Sequence, residues 1–146
     1  MKFQTFVPEL IVSTFAPKAE YQKETTDKHE SQLNMLRSLM LPPEDFKRLK
    51  EICDETGIGF MSTPFDFKSI EVLTPLQMDF IKIPSGEITN LPYLRKIAKM
   101  NAPIIMSTGM SNLDEIEQAM QILEKEGVSK ENIILLFNCQ PFILLS

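Results

Sequence analysis

The chain has 146 residues, enough for one domain with a real core and too few for two. Hydrophobic residues make up 43% and charged residues 24%, the balance of an ordinary globular protein. A formal net charge of −5 argues against nucleic acid as a partner, because neutralising phosphates needs clustered Lys and Arg, while leaving room for a small anion held by a few convergent lysines.

In chain order, the opening KFQTF alternates and predicts a strand. A polar connection through Pro8 and Pro17 follows, with residues 15–26 reading as loop. TTDKHESQLNMLRSLM predicts a helix, with Leu33, Leu36 and Met40 at helical spacing. LPPEDFKRLKEICDETG predicts another: Pro42 and Pro43 open it, Glu44 and Asp45 complement its first turn, and Gly57 stops it. IGFMST reads as a short buried strand, and FDFKSIEVLTPL as a short helix with Asp66 as N-cap. DFIKIP, APIIMST and ENIILLFNC predict three further strands. Between them lie the helices LPYLRKIAKM and SNLDEIEQAMQILEKEG, the second capped by Ser111 or Asn112 and ended at Gly127.

Strand and helix therefore alternate along the chain with short connections. That order implies a parallel sheet, since parallel strands need crossovers rather than tight turns. The runs FIKI, PIIM and NIILLF are almost continuously apolar, as expected of strands covered on both faces.

Cys53 and Cys139 are far apart without CxxC spacing, which predicts free thiols in a reducing compartment. MKFQTFVPEL lacks a long apolar core and carries Glu9, so it does not read as a signal peptide, and the closing PFILLS is too short to cross a bilayer. The expected location is cytoplasmic. His29 sits in a polar helix start and is expected in solvent, and with a single histidine and no cysteine cluster the chain offers no metal site of its own. The scattered methionines read as packing residues.

Polar residues gather where the strands end. GFMST closes on Ser62 and Thr63, FIKIP on Ser85, Gly86 and Glu87, PIIMS on Ser107, Thr108 and Gly109, and ILLF on Asn138, Cys139 and Gln140; KFQTF adds Lys2, Gln4 and Thr5. In a (β/α) barrel these strand ends share one rim, and a doubly wound sheet would gather some of them at its switch point. Hydroxyls, glycines and two lysines suit a phosphate or carboxylate, with Lys82 supplying charge from inside an apolar strand. Glu87 beside them suits proton transfer or a hydroxyl-rich ligand. Taken singly, each Ser or Thr is better explained as a turn former or cap, and Lys82 can be read as a side chain snorkelling between helices. Their coincidence on one rim is what those explanations do not require.

The motifs KFQTF, GFMSTPFD, FIKIPSGEITNLPYLRKIAK and PIIMSTGMSNLDEIEQA together resemble the N-acetylneuraminate (sialic acid) synthase family, including its legionaminate and other nonulosonate members. The resemblance implies a TIM barrel that condenses phosphoenolpyruvate with N-acetylmannosamine or a similar amino sugar. In the reaction it implies, a divalent manganese or magnesium ion polarises the sugar aldehyde, the enol carbon attacks, water adds to the resulting cation and phosphate leaves by C–O cleavage. Lys2 and Lys82 match the lysines that hold the phosphate and carboxylate of phosphoenolpyruvate. Thr63 and Ser85 match hydroxyl donors to the same ligand. Gln4 and Glu87 match positions near the sugar, Glu87 being placed to handle a proton or water.

The departures from the family pattern set further expectations. Members begin with one more strand, carrying a Glu-Ile-Gly…Asn-His motif. After their sixth strand they continue through a Tyr-Pro stretch, where this chain reads Asn138, Cys139, Gln140, Pro141 and Phe142. The strands bearing the metal-binding histidines and a carboxy-terminal antifreeze-like domain have no counterpart here. The expectation is a single partial barrel over 1–146, about five of eight βα units, weak or inactive as a catalyst. The resemblance implies a homodimer, and an open sheet with bare edges invites self-association. Two alternatives stand beside this reading. One is a non-catalytic fragment; the other is a Schiff-base aldolase with Lys82 as the nucleophile.

Overall fold

The computed structural model describes residues 1–13, 16 and 31–137. The expectations for His29, for Asn138, Cys139 and Gln140, and for most of the loop over 15–26 fall outside these residues. Five strands are present: β1 (Lys2–Thr5), β2 (Met61–Pro64), β3 (Phe80–Ile83), β4 (Ile104–Ser107) and β5 (Ile133–Leu136). The helices are α1 (Pro8–Ile11), α2 (Gln32–Leu39), α3 (Pro43–Thr56), α4 (Phe67–Leu73), α5 (Leu91–Ala98) and α6 (Leu113–Lys125). Short 3₁₀ turns cover Thr74–Leu76, Ser85–Glu87 and Lys130–Asn132.

Local chemistry explains most boundaries. Pro43 opens α3 with its φ preset and no N–H to orphan. The helix ends where Gly57 takes φ 69° and Ile58 N–H returns to Cys53 O at 2.9 Å, the Schellman closure. Asn112 rather than Ser111 caps α6: its side chain accepts from Glu115 N–H, and Glu115 accepts from Asn112 N–H in return. Asp66 caps α4 by accepting from Ser69 N–H, and Asn90 caps α5 by accepting from Tyr93 N–H.

All strand pairs are parallel, and the sheet order is β1-β2-β3-β4-β5. A doubly wound sheet reverses its order midway and carries helices on both faces. Here the order never reverses, as in a barrel wound in one direction. The pleat then sorts the side chains. Phe3, Ile81, Ile83, Ile104, Met106, Ile133 and Leu135 join one apolar core with Phe46 of α3, Ile70 of α4, Leu94 and Ile97 of α5, and Ile116 and Leu123 of α6. The opposite face takes the alternate residues: Lys2 and Gln4, Met61 and Thr63, Phe80 and Lys82, Ile105 and Ser107, Ile134 and Leu136. This is a partial βα barrel, with its helices on the outer side.

Three expectations need correction. The apolar run of β5 is not covered on both faces: Ile134 is 45% and Leu136 44% exposed, because the helices pack on one side only. The connection after β1 contains a one-turn helix, α1, started by Pro8 at its first position. In α2 the inward stripe is Leu33 and Met35, while Met40 lies beyond the last turn and is exposed.

Candidate active site

Lys82 is the centre of the polar face. It is only 8% exposed, yet no carboxylate pairs with it among the described residues. Its ammonium donates to Ile83 O at 2.8 Å and to Ser107 Oγ at 2.5 Å. Burial, and then the charge of Lys2, push the Lys82 ammonium down to about 8. Two cations thus share one face of the sheet, and neither has a carboxylate partner among the described residues. A buried charge without a counter-ion is unfavourable unless something brings the opposite charge, and a small anion does so.

The other expected residues fall into two groups. Gln4 is the register partner of Thr63, so the two lie side by side on the same face as Lys2 and Lys82. Thr63 is 2% exposed, and neither its hydroxyl nor the Gln4 amide makes a hydrogen bond within the described residues. Ser85 follows β3 directly and packs against Gly109 at the end of β4: a Cβ on Gly109 would lie 3.5 Å from Ser85 Oγ. Lys2, Gln4, Thr63 and Lys82 therefore share one face of β1 to β3, and Ser85 lies just past the carboxyl end of β3.

Glu87 goes elsewhere. The 3₁₀ turn Ser85–Glu87 carries it beyond the strand, where its carboxylate accepts from Asn90 Nδ2 at 2.6 Å. It lines a separate cleft with Phe65, Asp66, Asn90 and Tyr93. Burial, and then the nearby charges of Glu87 and Asp66, push the Tyr93 phenol above its ordinary range, and its hydroxyl donates to Pro64 O at 2.7 Å. Asp66 accepts from Val7 N–H at 2.8 Å, Ser69 N–H at 2.8 Å and Ser69 Oγ at 2.7 Å, tying the segment after β1 to the start of α4.

Ser107 accepts from Lys82, a contact that sequence reasoning did not foresee although it placed Ser107 on the rim. Its signal was available only as alternation with Ile105, which the strand register converts into contact with Lys82. Among the described residues, no three His, Cys, Asp or Glu side chains gather to hold a metal ion. The donors on the Lys82 face are two ammonium groups, hydroxyls and an amide. That set repels rather than ligates a hard cation, so the described residues do not fit a divalent metal.

A NeuB family model matches residues 1–141. The chain is 51% identical over 136 residues to N,N'-diacetyllegionaminic acid synthase of Campylobacter jejuni, which covers 93% of this chain and 41% of that protein. With the enzyme of the same name from Legionella pneumophila the identity is 42% over 140 residues, 95% of this chain and 39% of that one. The crystal structure of an N-acetylneuraminic acid (sialic acid) synthetase from Leptospira borgpetersenii, in complex with citrate, superposes with a TM-score of 0.72 at 26% identity, over 93% of this chain and 42% of its own. The chain spans less than half the length of these relatives. Its matched residues, its strand order and its one-sided helices agree: the chain belongs to the NeuB family.

Proposed function

We propose that this chain holds phosphoenolpyruvate for the condensation carried out by nonulosonic acid synthases, in which phosphoenolpyruvate joins an N-acetylated amino sugar to give a nonulosonic acid and phosphate. The observation that carries the reading is Lys82, a nearly buried cation beside Lys2 with no carboxylate partner. In this reading Lys2 and Lys82 neutralise the phosphate and carboxylate, and Thr63, Ser85 and Ser107 donate hydroxyls to their oxygens. Gln4 and Glu87 serve the sugar. The enol carbon forms a bond to the sugar aldehyde carbon, whose oxygen takes up a proton. Water then adds to the cation left at the central carbon of phosphoenolpyruvate and gives up one proton; as the C–O bond to phosphate breaks, the new hydroxyl passes its remaining proton to the leaving phosphate and becomes the ketone. Relatives named N,N'-diacetyllegionaminic acid synthase support an amino sugar with two acetamido groups.

Calorimetric titration of the folded chain with phosphoenolpyruvate tests this. Binding is expected for the native chain and its loss for Lys82→Met. A folded chain that ignores phosphoenolpyruvate would overturn the reading. The lowered pKa of Lys82 also favours a second reading, an amine poised to form a Schiff base. Borohydride reduction with pyruvate separates the two: a mass adduct on Lys82 supports the imine, and its absence with phosphoenolpyruvate bound supports the condensation.

A further inference from the structure

A second recess opens beyond the carboxyl ends of β1 to β3, an open cleft of about 680 Å³, within the usual range for small-molecule pockets. Its walls come from the segments that follow β1, β2 and β3, the strands that carry Lys2, Thr63 and Lys82. Leu10 and Phe65 provide apolar surface, and Lys68, Glu87 and Asn90 provide polar groups.

The hydrogen-bond capacity left in this cleft is specific. Asp66 is occupied by three donors and the Tyr93 hydroxyl by Pro64 O. Glu87 uses Oε2 to accept from Asn90 Nδ2 and keeps Oε1 open, while Asn90 Nδ2 keeps its second hydrogen. Lys68 makes no ion pair or hydrogen bond with the described residues. One acceptor, one amide donor and one ammonium thus stand beside an apolar wall. An acetamido group presents the complement: an N–H, a carbonyl oxygen and a methyl. Lys68 stands against Asp66 and Glu87, so the cleft carries one excess negative charge and disfavours an anionic ligand.

We propose that this cleft receives the acetamido group farther from the aldehyde of an amino sugar bearing two, with Leu10 and Asn90 as specificity-determining residues. Glu87 accepts from the acetamido N–H, Asn90 donates to its oxygen, and the methyl lies against Leu10 and Phe65. This rests on the function proposed above, because the aldehyde must reach phosphoenolpyruvate on the Lys82 face.

The test uses the chain saturated with phosphoenolpyruvate and two probes, N-acetylmannosamine and a hexose carrying two acetamido groups, titrated by calorimetry. Leu10→Trp fills the cleft from a half-exposed position. Asn90→Asp keeps an oxygen to cap α5 but replaces the donor with a second carboxylate beside Glu87. Each variant is expected to weaken the diacetamido sugar about tenfold or more, and Leu10→Trp to change affinity for the monoacetamido sugar by less than about twofold. Equal losses for both sugars in Leu10→Trp, or undiminished affinity for the diacetamido sugar in either variant, would overturn the proposal. A chain that binds phosphoenolpyruvate but not the diacetamido sugar would also overturn it and leave the proposed function standing. Discrimination between the sugars without any phosphoenolpyruvate binding would do the reverse, and failure of both ligands would overturn both.

Discussion

Replacing Lys82 by methionine should stabilise the unliganded chain at neutral pH. The magnitude follows from the fall of its pKa from 10.5 to about 8. At about 1.36 kcal/mol per unit the full shift is worth about 3 kcal/mol, and water over the open face screens it to about 1–2 kcal/mol. The two hydrogen bonds to Ile83 O and Ser107 Oγ offset part of this. The sign is fixed by linkage. Below pH 8 the lysine is protonated in folded and unfolded chains alike, and the folded state carries the whole burden of a buried charge. Between pH 8 and 10.5 the unfolded chain binds the extra proton, so the wild type gains stability as pH rises through that window. Methionine does not titrate. The stability gap between variant and wild type should therefore be constant below pH 8 and shift in favour of the wild type by about 1–2 kcal/mol up to pH 10.5. Urea unfolding of both chains from pH 7 to 10.5 measures it, and the other titrating groups, common to both chains, cancel in the difference. A gap that stays the same at every pH would refute the argument that Lys82 is desolvated and uncompensated.

Three further outcomes are expected. Binding of phosphoenolpyruvate at pH 8 should take up about half a proton per ligand, because the anion returns the neutral fraction of Lys82 to its charged form; titration in two buffers of different ionisation enthalpy reads it, and zero uptake would place the anion elsewhere. Asp66→Ala removes three accepted hydrogen bonds and the cap of α4, and should cost about 2–3 kcal/mol in a thermal or urea melt; a change under about 0.5 kcal/mol would show that the clamp between the segment after β1 and α4 carries little. Tyr93→Phe leaves Pro64 O without its side-chain donor and should destabilise by about 1–2 kcal/mol, again by urea unfolding, with an unchanged midpoint counting against it.

The sequence alone determined the element order because the signals that punctuate it are local. Pro43 and Gly57 bracket α3, Asp66 and Asn112 cap their helices through neighbours three residues on, and the apolar runs mark strands by composition. The family motifs carried the barrel and the two lysines proposed to hold the anion for the same reason: each is a short contiguous stretch. Local signals did not show α1, a single turn whose Pro8 could equally open a loop.

Only the tertiary structure decided which rim residues act together. Parallel register and the alternation of the pleat set Lys2, Gln4, Thr63, Lys82 and Ser107 on one face, although 105 positions separate the first from the last. Glu87 lies two residues from Ser85 in sequence, yet the 3₁₀ turn delivers it to Asn90 in a different recess. Likewise NIILLF reads as buried on both sides, and Ile134 and Leu136 are exposed because the helices cover one face only. Burial, charge neutralisation and the pKa of Lys82 depend on what other segments bring to the same few ångströms. No single stretch of sequence contains that distance.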